Sequence, residues 1–139
     1  MLNYSNFIKK VVEKAYCEMT HKYNLTNNEI AIISYLCVSK KDTSSDIVNE
    51  LLFSKSHVSL SVDGLSKKGL VKKIQDDKDK KVFHLVLTEK AQPIVDELLV
   101  RKTMIESVFF KDFSSEERKQ LQNSIEKIIN NIKSSTLLK

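Results

Sequence analysis

The sequence predicts a mainly α-helical protein with one small β-hairpin. Three observations support this fold class. Residues 54–91 change from a helical repeat to a strand-like alternation and then to a new helix start. Apolar stripes with helical spacing occupy both ends of the chain, and only two glycines and one proline interrupt its 139 residues. A helix, a hairpin wing and a further helix in this order form a winged helix-turn-helix, flanked here by long N- and C-terminal helices.

The first predicted element is a long N-terminal helix. Its apolar residues recur at steps of three and four, and they are Tyr4, Phe7, Ile8, Val11, Val12, Ala15, Tyr16 and Met19. Such a face is too apolar to remain without a packing partner. Cys17 and Cys37 both fall on predicted helix faces without C-x-x-C spacing. We expect them to be small buried side chains in a reducing compartment.

Two shorter helices follow. Thr26 and Glu29 match the T-x-x-E capping box, which predicts a second helix from there to about residue 38. A third helix is predicted from Thr43 or Ser44 to Leu52. Its buried side chains are predicted to be Ile47, Val48 and Leu51.

The fourth predicted helix carries separate apolar and polar faces. Its apolar face is formed by Val58, Val62 and Leu65. Its polar side chains point elsewhere and include Lys55, His57 and Ser59. Ser54 can cap the N-terminus, and Gly69 stands where a left-handed residue would end the helix.

The hairpin follows directly. A short strand is predicted over 71–74 and a polar turn over 76–81. The returning strand is predicted from an alternation of Phe83, Leu85 and Leu87 with Val82, His84 and Val86. Thr88 is predicted to cap the next helix.

Two helices are predicted in the C-terminal third. The fifth runs from about Thr88 to Phe110, and Pro93 should kink it or delay its regular start. Ser114 and Glu117 form a second capping box that opens the last helix. The apolar stripe of that helix is Leu121, Ile125, Ile128, Ile129 and Ile132.

The positive charge of the chain is concentrated in the helix-hairpin segment. Residues 1–53 hold six Lys/Arg against six Asp/Glu, residues 54–90 hold nine against five, and residues 91–139 hold eight against seven. A lysine-rich loop is often merely solvated. Because the excess coincides with the predicted recognition helix and wing, it favours a phosphate-binding surface.

The residues of 26–91 resemble the MarR family of bacterial transcription regulators. The family pattern S-x-V-x-x-x-V-D-x-L-x-x-K-G-L-V is matched by Ser56, Val58, Val62, Asp63, Leu65, Lys68, Gly69, Leu70 and Val71. The hairpin and the next helix start add Asp79, Val82, Leu85, Leu87, Thr88, Glu89 and Lys90. The resemblance implies a dimeric repressor that binds double-stranded DNA and, like many family members, is released by a small aromatic or acidic effector.

Candidate DNA-binding residues follow from this arrangement. Those facing the major groove are Lys55, Ser56, His57, Ser59 and Leu60, and those at the wing tip are Lys78, Asp79, Lys80 and Lys81. Many relatives carry arginine where Leu60 stands; leucine there could contact only a thymine methyl, which favours an operator rich in A·T pairs. Lys80 stands where the family usually has an arginine that enters the minor groove, so we expect weaker minor-groove insertion here. Asp79 either shapes the turn or pairs with neighbouring lysines.

The terminal helices expose more apolar surface than one winged lobe can cover. They either form an intramolecular core or interlock with a second copy, and the resemblance favours a homodimer. A single MarR-like domain would then span 1–139, with a DNA-binding lobe at 26–91 and dimerisation helices at 1–24 and 92–139. The dimerisation candidates are Phe7, Val11, Leu121, Ile125, Ile128 and Ile132.

The resemblance also suggests an effector crevice. Its candidate lining residues are Tyr16, His21, Tyr23 and Tyr35, although aromatic residues at such positions are more often part of a core. A crevice of this kind would lie between the dimerisation helices and the DNA-binding lobe.

Other classes of function find little support. His21, His57 and His84 are scattered, and no nucleophile motif, metal-ligand spacing or phosphate loop is present, so we predict no enzyme, cofactor or metal. Cys17 lies too close to Thr26 to match the reactive cysteine of peroxide-sensing relatives. No apolar run is long enough for a membrane span, and a cytoplasmic location is expected. The competing hypothesis is a winged-helix protein-interaction module that does not bind specific DNA.

Overall fold

The computed structural model describes residues 2–138 and contains the predicted elements in the predicted order. The elements are α1 (Leu2–Tyr23), α2 (Asn27–Val38), α3 (Ser44–Leu51), α4 (Lys55–Lys67), β1 (Val71–Gln75), β2 (Phe83–Leu87), α5 (Gln92–Phe109) and α6 (Ser115–Ser134). Short 3₁₀ turns occupy Glu89–Ala91 and Thr136–Leu138. The winged helix-turn-helix class is confirmed.

Local capping explains where the shorter helices begin. The Thr26 hydroxyl accepts a hydrogen bond from the Glu29 amide at 3.1 Å, and the Glu29 carboxylate accepts from the Thr26 amide at 2.8 Å, as predicted. The capping box of Ser114 is also confirmed. A further box, between Thr43 and Asp46, begins α3 and was not predicted.

The turn between α3 and α4 places a leucine in the left-handed region. Leu52 has φ 54° and ψ 33°, a conformation that costs a residue with a Cβ about 1 kcal/mol or more. At the other end of α4, Gly69 adopts φ 73°, as predicted for a residue that ends the helix.

The hairpin is antiparallel, and Val71 pairs with Leu87 while Gln75 pairs with Phe83. The predicted alternation of buried side chains is only partly correct. Leu85 is buried and Leu87 is half-buried, whereas Phe83 is 44% exposed because the strand extends beyond the core at its N-terminal end.

The start of α5 differs from prediction in one respect. Thr88 precedes the 3₁₀ turn, but its hydroxyl donates to the Gly69 carbonyl at 2.6 Å instead of capping the helix. Regular α5 begins only at Gln92, so Pro93 lies in its first turn, where a missing N–H breaks no helical hydrogen bond. The predicted delay of the helix is therefore confirmed.

The core lies within the part of the chain that precedes Met104. The chain forms one compact unit that ends at Thr103 and a second unit that begins at Met104. The largest fully buried side chains belong to the first unit and are Met19, Ile32, Ile33, Ile47, Leu65, Val58 and Val62. The expectation that both cysteines are buried is wrong, because Cys17 is exposed and Cys37 only partly buried.

Candidate nucleic-acid interface

Helix α4 presents a polar face to solvent, above an apolar face that anchors it. Val58 and Val62 are each 1% exposed and Leu65 is fully buried, which confirms the predicted apolar face. The predicted groove-facing side chains are all exposed, and they are Lys55, Ser56, His57, Ser59 and Leu60. Leu60 is 72% exposed, so a large apolar side chain stands in the middle of this face. This face could contact base edges, Leu60 only through an apolar group such as a thymine methyl.

A concave surface of about 540 Å³ lies between α3, α4 and β1. Its polar rim includes side chains that sequence analysis did not single out, namely Ser44, Ser45, Asn49 and Lys73. Lys55 and Ser59 line the same surface. The missed residues could have been found from the polar side of the third helix, which lies opposite Ile47. Together these groups form a row of donors next to the recognition helix.

One ion pair links the recognition helix to the hairpin. The Lys73 ammonium lies 2.7 Å from the Asp63 carboxylate, and this hydrogen bond lowers the pKa of Asp63 below its usual range. Lys73 is therefore already paired with a carboxylate, although it borders the concave surface. The pair fixes β1 against the outer side of α4.

A second ion pair anchors the end of α4. The Lys68 ammonium contacts the Glu29 carboxylate at 2.7 Å, and Glu29 is only 3% exposed. The carboxylate also passes close to Gly64, where any Cβ would collide with it. The absence of a side chain at Gly64 thus lets α4 approach α2 closely enough for this buried pair to form.

The wing tip is a tightly hydrogen-bonded turn. One oxygen of the Asp76 carboxylate accepts from the backbone amides of Lys78 at 2.8 Å and Asp79 at 2.7 Å. These bonds, the one from Asp79 foremost, together with a bond to His84, lower the pKa of Asp76 to about 2. The Asp79 carboxylate in turn accepts from the Lys81 amide at 3.0 Å, which supports the turn-forming alternative for Asp79.

The wing lysines are exposed, but they are not equivalent. The Lys80 ammonium folds back and donates to the Asp76 carbonyl at 3.2 Å. Lys78 and Lys81 extend from the same turn and are also exposed. The turn therefore presents three positive side chains on a backbone whose conformation is set by two aspartates.

The four predicted effector residues do not all line the same cleft. Tyr16 and Tyr35 line one cleft of about 570 Å³ between α1, α2 and the end of α3. The Tyr35 hydroxyl is buried and has no hydrogen-bond partner among residues 2–138. Tyr23 lies elsewhere and donates to Glu97 at 2.9 Å, and the exposed His21 contacts the carbonyl of Cys17.

The predicted dimerisation residues are exposed in this single chain. On α1, Phe7 is 69% and Val11 37% exposed. On α6, every apolar residue of the predicted stripe is exposed, from Ile132 at 37% to Ile128 at 54%. Each helix thus presents an apolar face to solvent, which is unusual for a helix without a partner.

Within the described residues, no helix is both long and apolar enough to cross a membrane. No group of three or more histidine, cysteine or acidic side chains in positions 2–138 is arranged to hold a metal ion.

Comparison with known proteins points to one family. A sequence model described as "MarR family" matches residues 23–81, which include α2, α3, α4, β1 and the wing turn. The chain is 26% identical over 123 residues to the HTH-type transcriptional regulator BilQ of Clostridioides difficile (strain CD3), covering 88% of this chain and 82% of that protein.

Solved structures agree with the fold. S. aureus MepR in a DNA-binding conformation superposes with a TM-score of 0.85 at 20% identity, covering 95% of this chain and 98% of that chain. A putative MarR family regulator from Listeria monocytogenes, solved with a 26mer DNA, gives a TM-score of 0.83 at 22% identity, covering 95% and 88%. The chain is thus similar in sequence and in fold to MarR family proteins, which are transcription regulators and not enzymes.

Proposed function

We propose that this protein represses transcription as a homodimer that binds a pseudo-palindromic DNA operator and is released by a small effector. One observation carries the DNA-binding part. The capped helix α4 exposes Lys55, His57 and Ser59 beside a hairpin whose tip bears three lysines, while its opposite face is buried. Lysine and hydroxyl groups on a projecting helix can contact both phosphates and base edges.

The relatives support this assignment. The Listeria monocytogenes regulator was solved with a 26mer DNA, and S. aureus MepR was solved both in a DNA-binding conformation and in a complex with DNA. Since the fold is shared, α4 is the element that would enter the major groove and the hairpin is the element that would reach the adjacent backbone or minor groove. The lobe over 26–91 would then be the DNA-binding part.

The exposed apolar faces of α1 and α6 support dimerisation. Five apolar side chains of α6 are each at least 37% exposed, and a monomer in water has no compensation for such a stripe. A second copy related by a twofold axis would bury the same faces on both chains. Helices over 1–24 and 92–139 would form this interface.

A twofold dimer fixes the geometry of the operator. Its two recognition helices would enter successive major grooves about 34 Å apart, which is roughly 10 base pairs between half-site centres. The exposed Leu60 would favour thymine methyl groups, so A·T pairs should be frequent in each half-site. Repression follows if the dimer covers a promoter and blocks access to it.

The cleft that contains Tyr16 and Tyr35 is the best candidate for an effector site. It is lined mainly by apolar groups, and its polar lining includes the tyrosines Tyr16 and Tyr35 and the ion pair of Lys9 with Glu13. An apolar cleft with aromatic side chains and an ammonium at its edge suits a small aromatic carboxylate that competes with Glu13 for Lys9. Such a ligand would touch both α1 and α2, and α2 packs against α4.

Selection of bound fragments from random duplex DNA tests the function. We expect enrichment of a palindrome with half-sites about 10 base pairs apart. Lys55→Ala, His57→Ala and Ser59→Ala should each weaken binding to it by about 1 to 3 kcal/mol per lost base contact. Lys119→Ala, which removes an exposed charge from α6, is the matched control and should bind as wild type does.

The outcomes separate the competing functions. No enrichment at any salt concentration would reject specific DNA binding and favour a protein-interaction module.

Sedimentation tests the dimer, because Ile125→Asp or Ile128→Asp should lower dimer content and stability by placing a charge in the apolar interface. Wild type that sediments as a monomer while binding the operator would refute the dimer. Failure of benzoate and related aromatic carboxylates to lower operator affinity would exclude that effector class.

A further inference from the structure

His84 occupies a bridging position that the DNA-binding function does not explain by itself. It lies on β2, with its Nδ1 2.6 Å from the carboxylate of Asp42 and its Nε2 3.1 Å from the carboxylate of Asp76. Asp42 belongs to the loop between α2 and α3, and Asp76 begins the wing turn. One imidazole therefore connects the body of the lobe to the turn that carries the wing lysines.

The two contacts require a charged ring. A carboxylate can only accept hydrogen bonds, and a neutral imidazole has a single N–H donor. Only the imidazolium donates from both ring nitrogens, so only this form satisfies both aspartates at once. When the ring loses its proton, one carboxylate faces a nitrogen lone pair, and that side of the bridge becomes repulsive.

We propose that His84 is a positioning residue of the wing, whose protonated ring holds the lysine-bearing turn against the α2–α3 loop in the arrangement that binds DNA. This inference rests on the proposed function, because it assumes that the wing contacts DNA. Loss of the proton releases the turn from one anchor. DNA affinity then decreases as the pH rises.

Backbone contacts fix the position of the ring. The Leu85 amide donates to the Asp42 carbonyl at 2.8 Å, and Thr43 forms an isolated antiparallel bridge with His84. The α2–α3 loop therefore runs beside β2 as a short third strand. Its backbone holds the Asp42 carboxylate in reach of the ring even when the side-chain contact is lost.

A single carboxylate, that of Asp76, links the His84 ring to the wing tip. Asp76 uses one oxygen for His84 and the other for the amides of Lys78 and Asp79. A change in the protonation of His84 therefore acts on the group that organises the turn. Asp76 alone therefore connects the His84 ring to the amides of the turn.

The charges around the ring favour the protonated form. The groups that face it are Asp42 from the α2–α3 loop, Asp76 from the wing turn and, at longer range, Asp46 from α3. The Lys80 ammonium is bound to the Asp76 carbonyl on the other side of the turn. Hydrogen bonds to Asp42 first and Asp76 second raise the pKa of His84 above its usual value. The bridge is thus intact below that raised pKa and is lost as the pH rises through it.

The test is operator affinity as a function of pH, at constant ionic strength. His57 is a second histidine and lies on the groove face, so the comparison is made in a His57→Gln background, with and without His84→Gln. With His84 present, affinity should decrease toward alkaline pH, by no more than about tenfold per pH unit because one proton is linked. With His84→Gln, affinity should be lower at neutral pH and should not change with pH. His21→Gln, at an exposed histidine of α1, should keep the pH dependence of the background.

NMR gives a second, DNA-free measurement. The chain has only three histidines, so the ring signals of His84 can be assigned by substitution. The backbone amides of Lys78 and Asp79 should shift with the same midpoint as the His84 ring. Asp42→Asn keeps an acceptor but removes one negative charge, and it should move that midpoint to lower pH.

The results distinguish failure of the inference from failure of the function. If the wild type selects no DNA at any pH, the proposed function is wrong, and the NMR titration still decides whether His84 controls the turn. The inference is overturned if DNA binds but its affinity depends on pH in the same way with and without His84. It is also overturned if the amide signals of Lys78 and Asp79 do not shift as the His84 ring titrates.

Discussion

Acid should weaken the attachment of α5 to α1, because Glu97 joins them. One oxygen of its carboxylate accepts from Lys22 at 2.7 Å and from the Tyr23 hydroxyl at 2.9 Å. The other accepts from the Arg101 guanidinium at 2.9 and 3.1 Å. Arg101 also donates to the Ala15 carbonyl and to Glu18, so the cluster connects α5 to α1 at several points.

The size of the effect follows from the pKa of Glu97. The bond from Lys22 foremost, then those from Arg101 and Tyr23, lower this pKa from an ordinary 4.5 to about 2. A difference of this size corresponds to at most about 3 kcal/mol of folding stability. Because the Lys22 side chain is 59% exposed, solvent screening should reduce this to about 1 to 2 kcal/mol.

The sign is that of a carboxylate with a lowered pKa. Its contribution is fully present above the unfolded value near 4.5 and is lost as the pH falls toward about 2. Urea unfolding should therefore show Glu97→Gln less stable than wild type by about 1 to 2 kcal/mol near neutral pH, with the difference shrinking below about pH 4. Protein concentration must be held constant, because dimerisation would add to stability.

Glu89→Gln is the matched control. Glu89 is an exposed carboxylate, and no ion pair is found for it among residues 2–138. Its substitution should change stability little at any pH. The reasoning is refuted if Glu97→Gln is as stable as wild type at neutral pH, or if the deficit is the same at low pH as at neutral pH.

Three further predictions concern the turn, the buried ion pair and the wing. Leu52→Gly should raise thermal stability by about 1 kcal/mol by relieving the left-handed leucine, whereas Leu52→Ala should not. Lys68→Met should cost about 3 kcal/mol in chemical denaturation because it leaves Glu29 buried and unpaired, and Lys67→Met on the exposed neighbour should cost little. In a salt titration, Lys80→Ala and Lys81→Ala should each reduce the log-log slope of DNA affinity by about one unit, while Lys80→Arg should tighten binding at A·T-rich sites. Equal slopes and affinities across this last set would show that the wing lysines are only solvated.

The elements were predictable because their signals are local. Two capping boxes, the Ser54 cap and Gly69 mark helix ends within a few residues of sequence, and the structure confirms each of them. The box at Thr43 was not predicted because its partner is Asp46, whereas the usual capping-box pattern has glutamate or glutamine at that position. The delay at Pro93 was predictable for the same local reason, since proline constrains its own turn.

Burial was predicted less well because periodicity only shows which residues share a face. It does not show whether another element covers that face. Cys17 lies beside apolar residues of α1 yet is exposed, and Phe83 lies at a strand end beyond the core. The effector residues show the same limit, because Tyr16 and Tyr35 meet in a cleft while Tyr23 turns toward Glu97.

The lysines of residues 54–90 differ in their surroundings, which the net charge of the segment does not show. Residues 54–90 contain nine lysines, and all of them count equally in a sum over the sequence. In the structure, Lys68 is paired with the buried Glu29, and Lys73 is paired with Asp63. The two pairs join residues 39 and 10 positions apart in the chain, so no local sequence pattern predicts them. They join the end of α4 to α2 and the hairpin to α4, and they remove two of the nine lysines from the groups that are free to bind phosphate. The salt dependence of DNA binding should therefore reflect this smaller set and fall short of the value that nine free lysines would give.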